Sequence, residues 1–237
     1  MVVERFRRIL QRRTSEVAPS VEAPLGMLSC LEGLARRGYT PQCVLDVGAA
    51  LGEWTGMTIR VWPQARYFLF EPLAERKAAL EKLHKSHPNV EYILAGASDL
   101  PGRLSIGISD NLYASSFAYP GAENRAVEVV TVDDMMRQGR FPPPQFMKLD
   151  VQGYEFKVLQ GAAEAMRNCE LILMEMQFFR FAPDMLLLHE GIQWMAARDF
   201  IPYEFADFLR RPLDGAMGQC DMLFVRKGHW LVASNRW

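Results

Sequence analysis

The stretch from Val44 to Thr55, VLDVGAALGEWT, constrains this chain more than any other. An apolar run closes on a carboxylate, Asp46, breaks into the small residues Gly48, Ala49 and Ala50, and resumes through Gly52. That order predicts a buried strand, a tight turn of bare backbone, and a helix N-terminus able to approach whatever sits above the sheet. Such a turn is a cradle for a nucleotide-type cofactor. A pyrophosphate cradle needs G-x-G-x-x-G, but here Ala50 takes the second glycine position and no third glycine follows it; the P-loop GK[ST] is absent too. The next apolar run, Arg66 to Phe70, ends at Glu71-Pro72. Glu71 follows Gly48 by a little over the roughly 20 residues expected of a ribose-binding acid. A carboxylate there accepts both ribose hydroxyl protons, and Pro72 ends the strand so that Glu71 stays at its tip. The competing reading is a surface glutamate ahead of a helix.

The pattern Asp46-x-Gly48-x-Ala50-x-Gly52 resembles motif I of the class I S-adenosylmethionine-dependent methyltransferases, whose turn passes under the methionine and ribose parts of the cofactor. Phe146-Met147-Lys148-Leu149-Asp150-Val151-Gln152-Gly153-Tyr154-Glu155, followed by Lys157-Val158-Leu159-Gln160-Gly161-Ala162, is more specific. It resembles the FkbM-type methyltransferases, with their K-x-D-x-x-G-x-E and V-L-x-G-A signature. Val129 to Asp134 and the run Leu171 to Glu175 fit that family in order. The resemblance extends from about Cys43 to about Lys227 and departs at Ala50, where the family usually shows asparagine. It implies a Rossmann-like α/β fold, a seven-stranded and mostly parallel sheet with a C-terminal antiparallel strand and helices on both faces. The implied cofactor is S-adenosyl-L-methionine, held by Asp46, Gly48, Ala49, Ala50, Gly52, Glu71, Pro72 and Asp150. Ala97 and Ser98 form an adenine wall or a bare turn. Family members are associated with O-methylation of sugars, polyketides and other secondary metabolites, so the expected partner is a small molecule bearing a hydroxyl.

In a parallel sheet, ligands gather at the carboxyl ends of strands near the switch in strand order, where Asp150 is expected. Methyl transfer is an in-line displacement, so the protein chiefly aligns the nucleophile and, for a hydroxyl, removes its proton. Asp150 is the candidate for that task, with Lys148 tuning it, Glu155 or Glu175 orienting the site, and His189 a secondary base. Structural readings compete: Lys148 neutralising a carboxylate within the sheet, Glu155 capping its helix, His189 packed on an apolar helix. A version with Mg²⁺ on Asp150, Glu175 and Asp133 or Asp134 ranks below the metal-free one, and no metal ligand is assigned.

The remaining sequence bounds the setting. At 237 residues and a formal net charge of −1, one domain is expected and there is no general case for nucleic acid. We divide the chain into an N-terminal helical extension, 1–40, and a catalytic domain, 41–237. Val2, Val3, Phe6, Ile9 and Leu10 form an apolar stripe among arginines; it suits a terminal helix on the domain, a homodimer contact, or a membrane-surface helix. Residues 14–24 read as a linker, and a second amphipathic helix ends at Gly38. Cys30, Cys43, Cys169 and Cys220 lack zinc or disulfide spacing. No run is apolar enough to span a bilayer and no secretory h-region opens the chain, so a cytoplasmic location is expected. The segments 109–125 and 177–184 are expected to shape the acceptor pocket. Two other classes remain open: a catalytically silent cofactor-binding scaffold and a nicotinamide oxidoreductase, the latter disfavoured by the missing glycines.

Overall fold

The computed structural model describes residues 26–234; the N-terminal stripe and the 14–24 linker lie outside them. Helix α1 spans Met27–Arg36, then β1 Cys43–Val47, α2 Glu53–Val61, β2 Arg66–Phe70, α3 Lys77–Ser86 and β3 Val90–Ile93. A small sheet follows, β4 Gly96–Ala97, β5 Gly102–Ile108 and β6 Glu123–Val130. The chain then runs through α4 Val132–Arg137, β7 Phe146–Leu149, α5 Glu155–Gln160, α6 Ala165–Asn168, β8 Leu171–Gln177, α7 Leu188–Ala196, β9 Phe200–Arg210 and β10 Met217–Arg226.

Seven strands form the main sheet in the order β3-β2-β1-β7-β8-β10-β9. Only β10 runs against its neighbours, pairing antiparallel with both β8 and β9. Strands β1, β7 and β8 are buried along their whole length, as expected when helices cover both faces of a parallel sheet. Alternate side chains divide between two cores. Val44, Phe146 and Leu173 pack with Leu31, Leu34, Ile59 and Leu80 of α1 to α3, whereas Leu45, Val47, Met147 and Leu149 pack with Val132, Val158, Ala165 and Met195 of α4 to α7. Phe146 anchors β7 within a ring cluster, 5.9 Å from Trp54 and 5.8 Å from Trp62 between centroids. The strand order switches between β1 and β7, which opens a crevice beyond their carboxyl ends.

After β3 the chain leaves the main sheet, and Gly96 and Ala97 pair parallel with β6. A Cβ on Gly96 would lie 2.7 Å from the Phe117 ring, so the bare glycine lets that ring pack down. Residues 109–122 consequently fold over the crevice. Ser116 bridges Gly107, and its hydroxyl donates to the Gln152 carbonyl at 2.7 Å.

Candidate active site

The wall of the crevice is set by register. Asp46 of β1 lies opposite Lys148 of β7, and the Lys148 Nζ sits 3.2 Å from Asp46 Oδ1 and 3.5 Å from Asp150 Oδ2. Nζ also donates to the Gly48 carbonyl at 3.2 Å, and Thr55 donates to Asp46 Oδ2 at 2.7 Å. Burial alone would lower the Lys148 pKa, but the charges of Asp46 and Asp150 outweigh it and raise the value. The lysine is therefore a fixed cation that ties the motif I strand to the tip of β7. A Cβ on Gly48 would stand 2.0 Å from the Asp150 carbonyl oxygen, so only glycine lets that tip approach the turn.

After Asp150 the backbone turns left-handed twice, at Gln152 with φ 55° and at Gly153 with φ 92°. Such a φ is uncommon for a residue with a side chain. Glu155 holds the turn: its Oε1 accepts from the Val151 and Gly153 N–H groups at 3.0 and 3.2 Å. Burial lifts the Glu155 carboxyl to about 7, against the pull of these hydrogen bonds, with Asp150 adding to the rise. Its position matches the capping alternative more closely than a contact with ligand, since the residue is buried. The turn aims Gln152, whose Nε2 donates to Asp150 Oδ1 at 2.7 Å and to Glu175 Oε2 at 3.3 Å.

Two recesses meet at this turn. The first lies beyond β1 and β2 and is bordered by Gly48, Ala50, Glu71, Pro72, Ala97 and Asp150, with Phe117 of the overlying loop opposite. Glu71 is built into it. Its Oε2 accepts from the Ala50 N–H and its Oε1 from the Leu73 N–H, both at 2.9 Å. Burial raises the Glu71 pKa, while those two hydrogen bonds and Arg76 oppose the rise. The carboxylate is thus immobilised with lone pairs left for a vicinal diol, and the narrow apolar walls suit a flat base. These residues fit a nucleoside cofactor.

Several residues of the expected set do not border this recess. Asp46 has no exposed surface and is spent on Lys148 and Thr55. Ala49 is buried, and Gly52 packs toward Leu83. Ser98 is buried and directs its hydroxyl to Asp99 at 3.0 Å. His189 is exposed in the first turn of α7 and borders neither recess. Asp133 accepts from the Glu164 and Ala165 N–H groups, and Asp134 pairs with Arg137, so neither aspartate joins Asp150. Among the described residues no three His, Cys, Asp or Glu side chains form a group that could hold a metal ion.

The second recess is bordered by Tyr119, Gln152, Gln177, Phe181, Met185 and Gln219. Glu175 belongs to its floor, accepting from Gln177, from Gln219 at 2.5 Å and from Gln152. Burial, reinforced by Asp150, Glu155 and Asp221, pushes the Glu175 carboxyl up to about 9. Asp221, opposite Glu175 in the β8-β10 register, rises to about 6 through burial and the charge of Asp150. The structure therefore brings Lys148, Asp150, Glu155 and Glu175 together. It adds Gln152, Gln219 and Asp221, which the sequence reading missed, while Tyr119, Gln177 and Phe181 come from the two segments expected to shape the acceptor pocket. The one local sign of the missed residues was the glutamine inside the Asp150 to Glu155 turn.

Comparison with known proteins followed the same stretch of chain. A model of the methyltransferase FkbM domain matches residues 46–202. A hexuronic acid methyltransferase of Haloferax volcanii is 24% identical over 131 residues, 55% of this chain and 54% of that protein. The match thus spans about half the length of that relative. Among solved structures, a 1,6-didemethyltoxoflavin-N1-methyltransferase of Burkholderia thailandensis, determined with 1,6-didemethyltoxoflavin and S-adenosylhomocysteine, aligns at TM-score 0.49 and 12% identity, covering 95% of this chain and 88% of that one. A precorrin-6y C5,15-methyltransferase of Geobacter metallireducens aligns at TM-score 0.49 and 10% identity, covering 90% and 95%.

Proposed function

Because the chain belongs to the FkbM family of S-adenosylmethionine-dependent methyltransferases, we propose that its acceptor is a hydroxyl on a small, sugar-like molecule and that Asp150 receives the hydroxyl proton. One observation carries this reading: the half-exposed Asp150 carboxylate borders the cofactor recess while Lys148 and Gln152 fix its two oxygens. S-adenosylmethionine supplies, when bound, a methyl carbon made electrophilic by positive sulfur. Glu71 would hold its ribose, Gly48 and Ala50 would lie under it, and Ala97 with Phe117 would wall its base. Asp150 would accept the proton of the acceptor hydroxyl, whose oxygen would take the methyl group as the carbon–sulfur bond breaks and S-adenosylhomocysteine leaves, and Lys148 would keep the carboxylate oriented. The Haloferax volcanii relative, named for a hexuronic acid, supports a sugar-like acceptor.

The test is Asp150→Asn, assayed by methyl transfer from S-adenosylmethionine to a panel of glycosides. Transfer should fall by about 10²–10⁴-fold while S-adenosylhomocysteine still binds; full transfer would overturn the role given to Asp150. A chelator should leave the rate unchanged, whereas a loss restored by Mg²⁺ would replace the metal-free reading.

A further inference from the structure

We propose that the recess floored by Gln152, Gln177 and Gln219 is the acceptor subsite, and that it selects uncharged, polyhydroxylated rings over acids. The inference rests on the methyl-transfer reading above and adds to it the class of acceptor.

The amide orientations come first. Gln152, Gln177 and Gln219 each donate through Nε2 to Glu175, and Gln152 also to Asp150. Three amide nitrogens converge on Glu175 and a carboxyl group carries at most one proton, so at least two of the three amides turn their nitrogen to the floor and leave the carbonyl oxygen for a ligand. Gln177 makes the point most sharply. It is 5% exposed, borders the recess, and its Oε1 has no hydrogen-bond partner among the described residues. A buried amide oxygen without a donor is rare, and a ligand hydroxyl is the group that would satisfy it. Amide oxygens distributed across one floor suit an acceptor with several hydroxyls.

The walls agree. Tyr119, Phe181 and Met185 present apolar surface, and Phe181 is 55% exposed, which suits the C–H face of a ring. Charge decides against an acid. No bordering side chain is cationic, and beneath the floor lie Glu175, Asp150 and Asp221. Arg180, close in sequence, is engaged by both oxygens of Glu190 at 2.7 Å and by the Met185 carbonyl. Lys148, the cation nearest Asp150, is held between Asp46 and Asp150, so an anionic acceptor would meet Asp150 with no free counter-ion of its own. Gln152 borders both recesses, so a hydroxyl bound here lies beside Asp150.

The experiment uses the full chain saturated with S-adenosylhomocysteine, whose own binding is measured first by calorimetry. Neutral methyl glycosides and the corresponding uronic acids are then titrated by ligand-observed NMR, with Gln177→Leu and Gln219→Leu alongside. At least one neutral glycoside should bind more tightly than its uronic acid. Each variant should keep its S-adenosylhomocysteine affinity and lose about tenfold or more for the glycoside. Tighter binding of the uronic acids, unchanged glycoside affinity in both variants, or no glycoside binding to the saturated protein would each overturn the subsite. Failure of wild-type protein to bind S-adenosylhomocysteine would instead count against the cofactor assignment.

Discussion

The two recesses that meet at Gln152 are built from different material. The proposed cofactor recess is floored by strand tips and bare backbone, with one carboxylate, Glu71, pinned by two N–H groups, and is covered by Phe117 of the overlying loop. The neighbouring recess is made of side chains: amides on the floor, held by a buried carboxylate, and walls contributed by two loops. The first can hardly change shape without breaking the sheet, whereas the second can be rewritten by a few substitutions. A common cofactor and a variable acceptor call for that division.

Lys148 supports both recesses, so its removal should have the largest effect and should not discriminate between them. Lys148→Met strands Asp46 in the core without its cation and should destabilise the fold by about 3–5 kcal/mol, measured by urea denaturation. A loss below about 1 kcal/mol, the size expected of an exposed pair, would show that the Asp46 to Asp150 bridge is not structural.

Glu175 belongs to the acceptor side alone and should appear in the pH dependence of stability. Its carboxyl is pushed up from 4.5 to about 9. Between those values the unfolded chain has lost a proton that the folded chain retains. The contribution of this group is therefore complete below 4.5 and lost as pH rises through 9. Glu175→Gln should flatten the decline across this window, and an unaltered slope would mean that Glu175 is ionised in the folded protein. The smallest expected effect is that of Ser116→Ala. Removing the hydroxyl that ties the loop to the Gln152 carbonyl should cost about 0.5–1.5 kcal/mol and weaken acceptor use more than S-adenosylhomocysteine binding. Equal losses on both sides would blur the distinction.

The same division decided what could be read from the sequence. Asp46, Gly48, Glu71, Lys148 and Asp150 sit within short motifs whose local geometry is that of one strand and one turn, so their neighbourhood was legible. Gln177 and Gln219 meet only because β10 pairs antiparallel with β8 in one register, and no local pattern announces a contact across forty residues of chain. Glu155 was visible as a motif residue, but its work in holding a left-handed turn was not. His189 and Ser98 looked chemical by type, and their exposure and burial respectively are properties of tertiary packing.

The central claim, that the β1-β7 crevice binds the nucleoside part of the methyl donor through Glu71, is tested most directly by calorimetric titration of wild-type protein and Glu71→Ala with S-adenosylhomocysteine. Saturable binding by the wild type is expected, weakening by about 1–3 kcal/mol in the variant, with the fold intact by circular dichroism. Equal affinity in the two proteins would contradict it, because the ribose would then be held elsewhere.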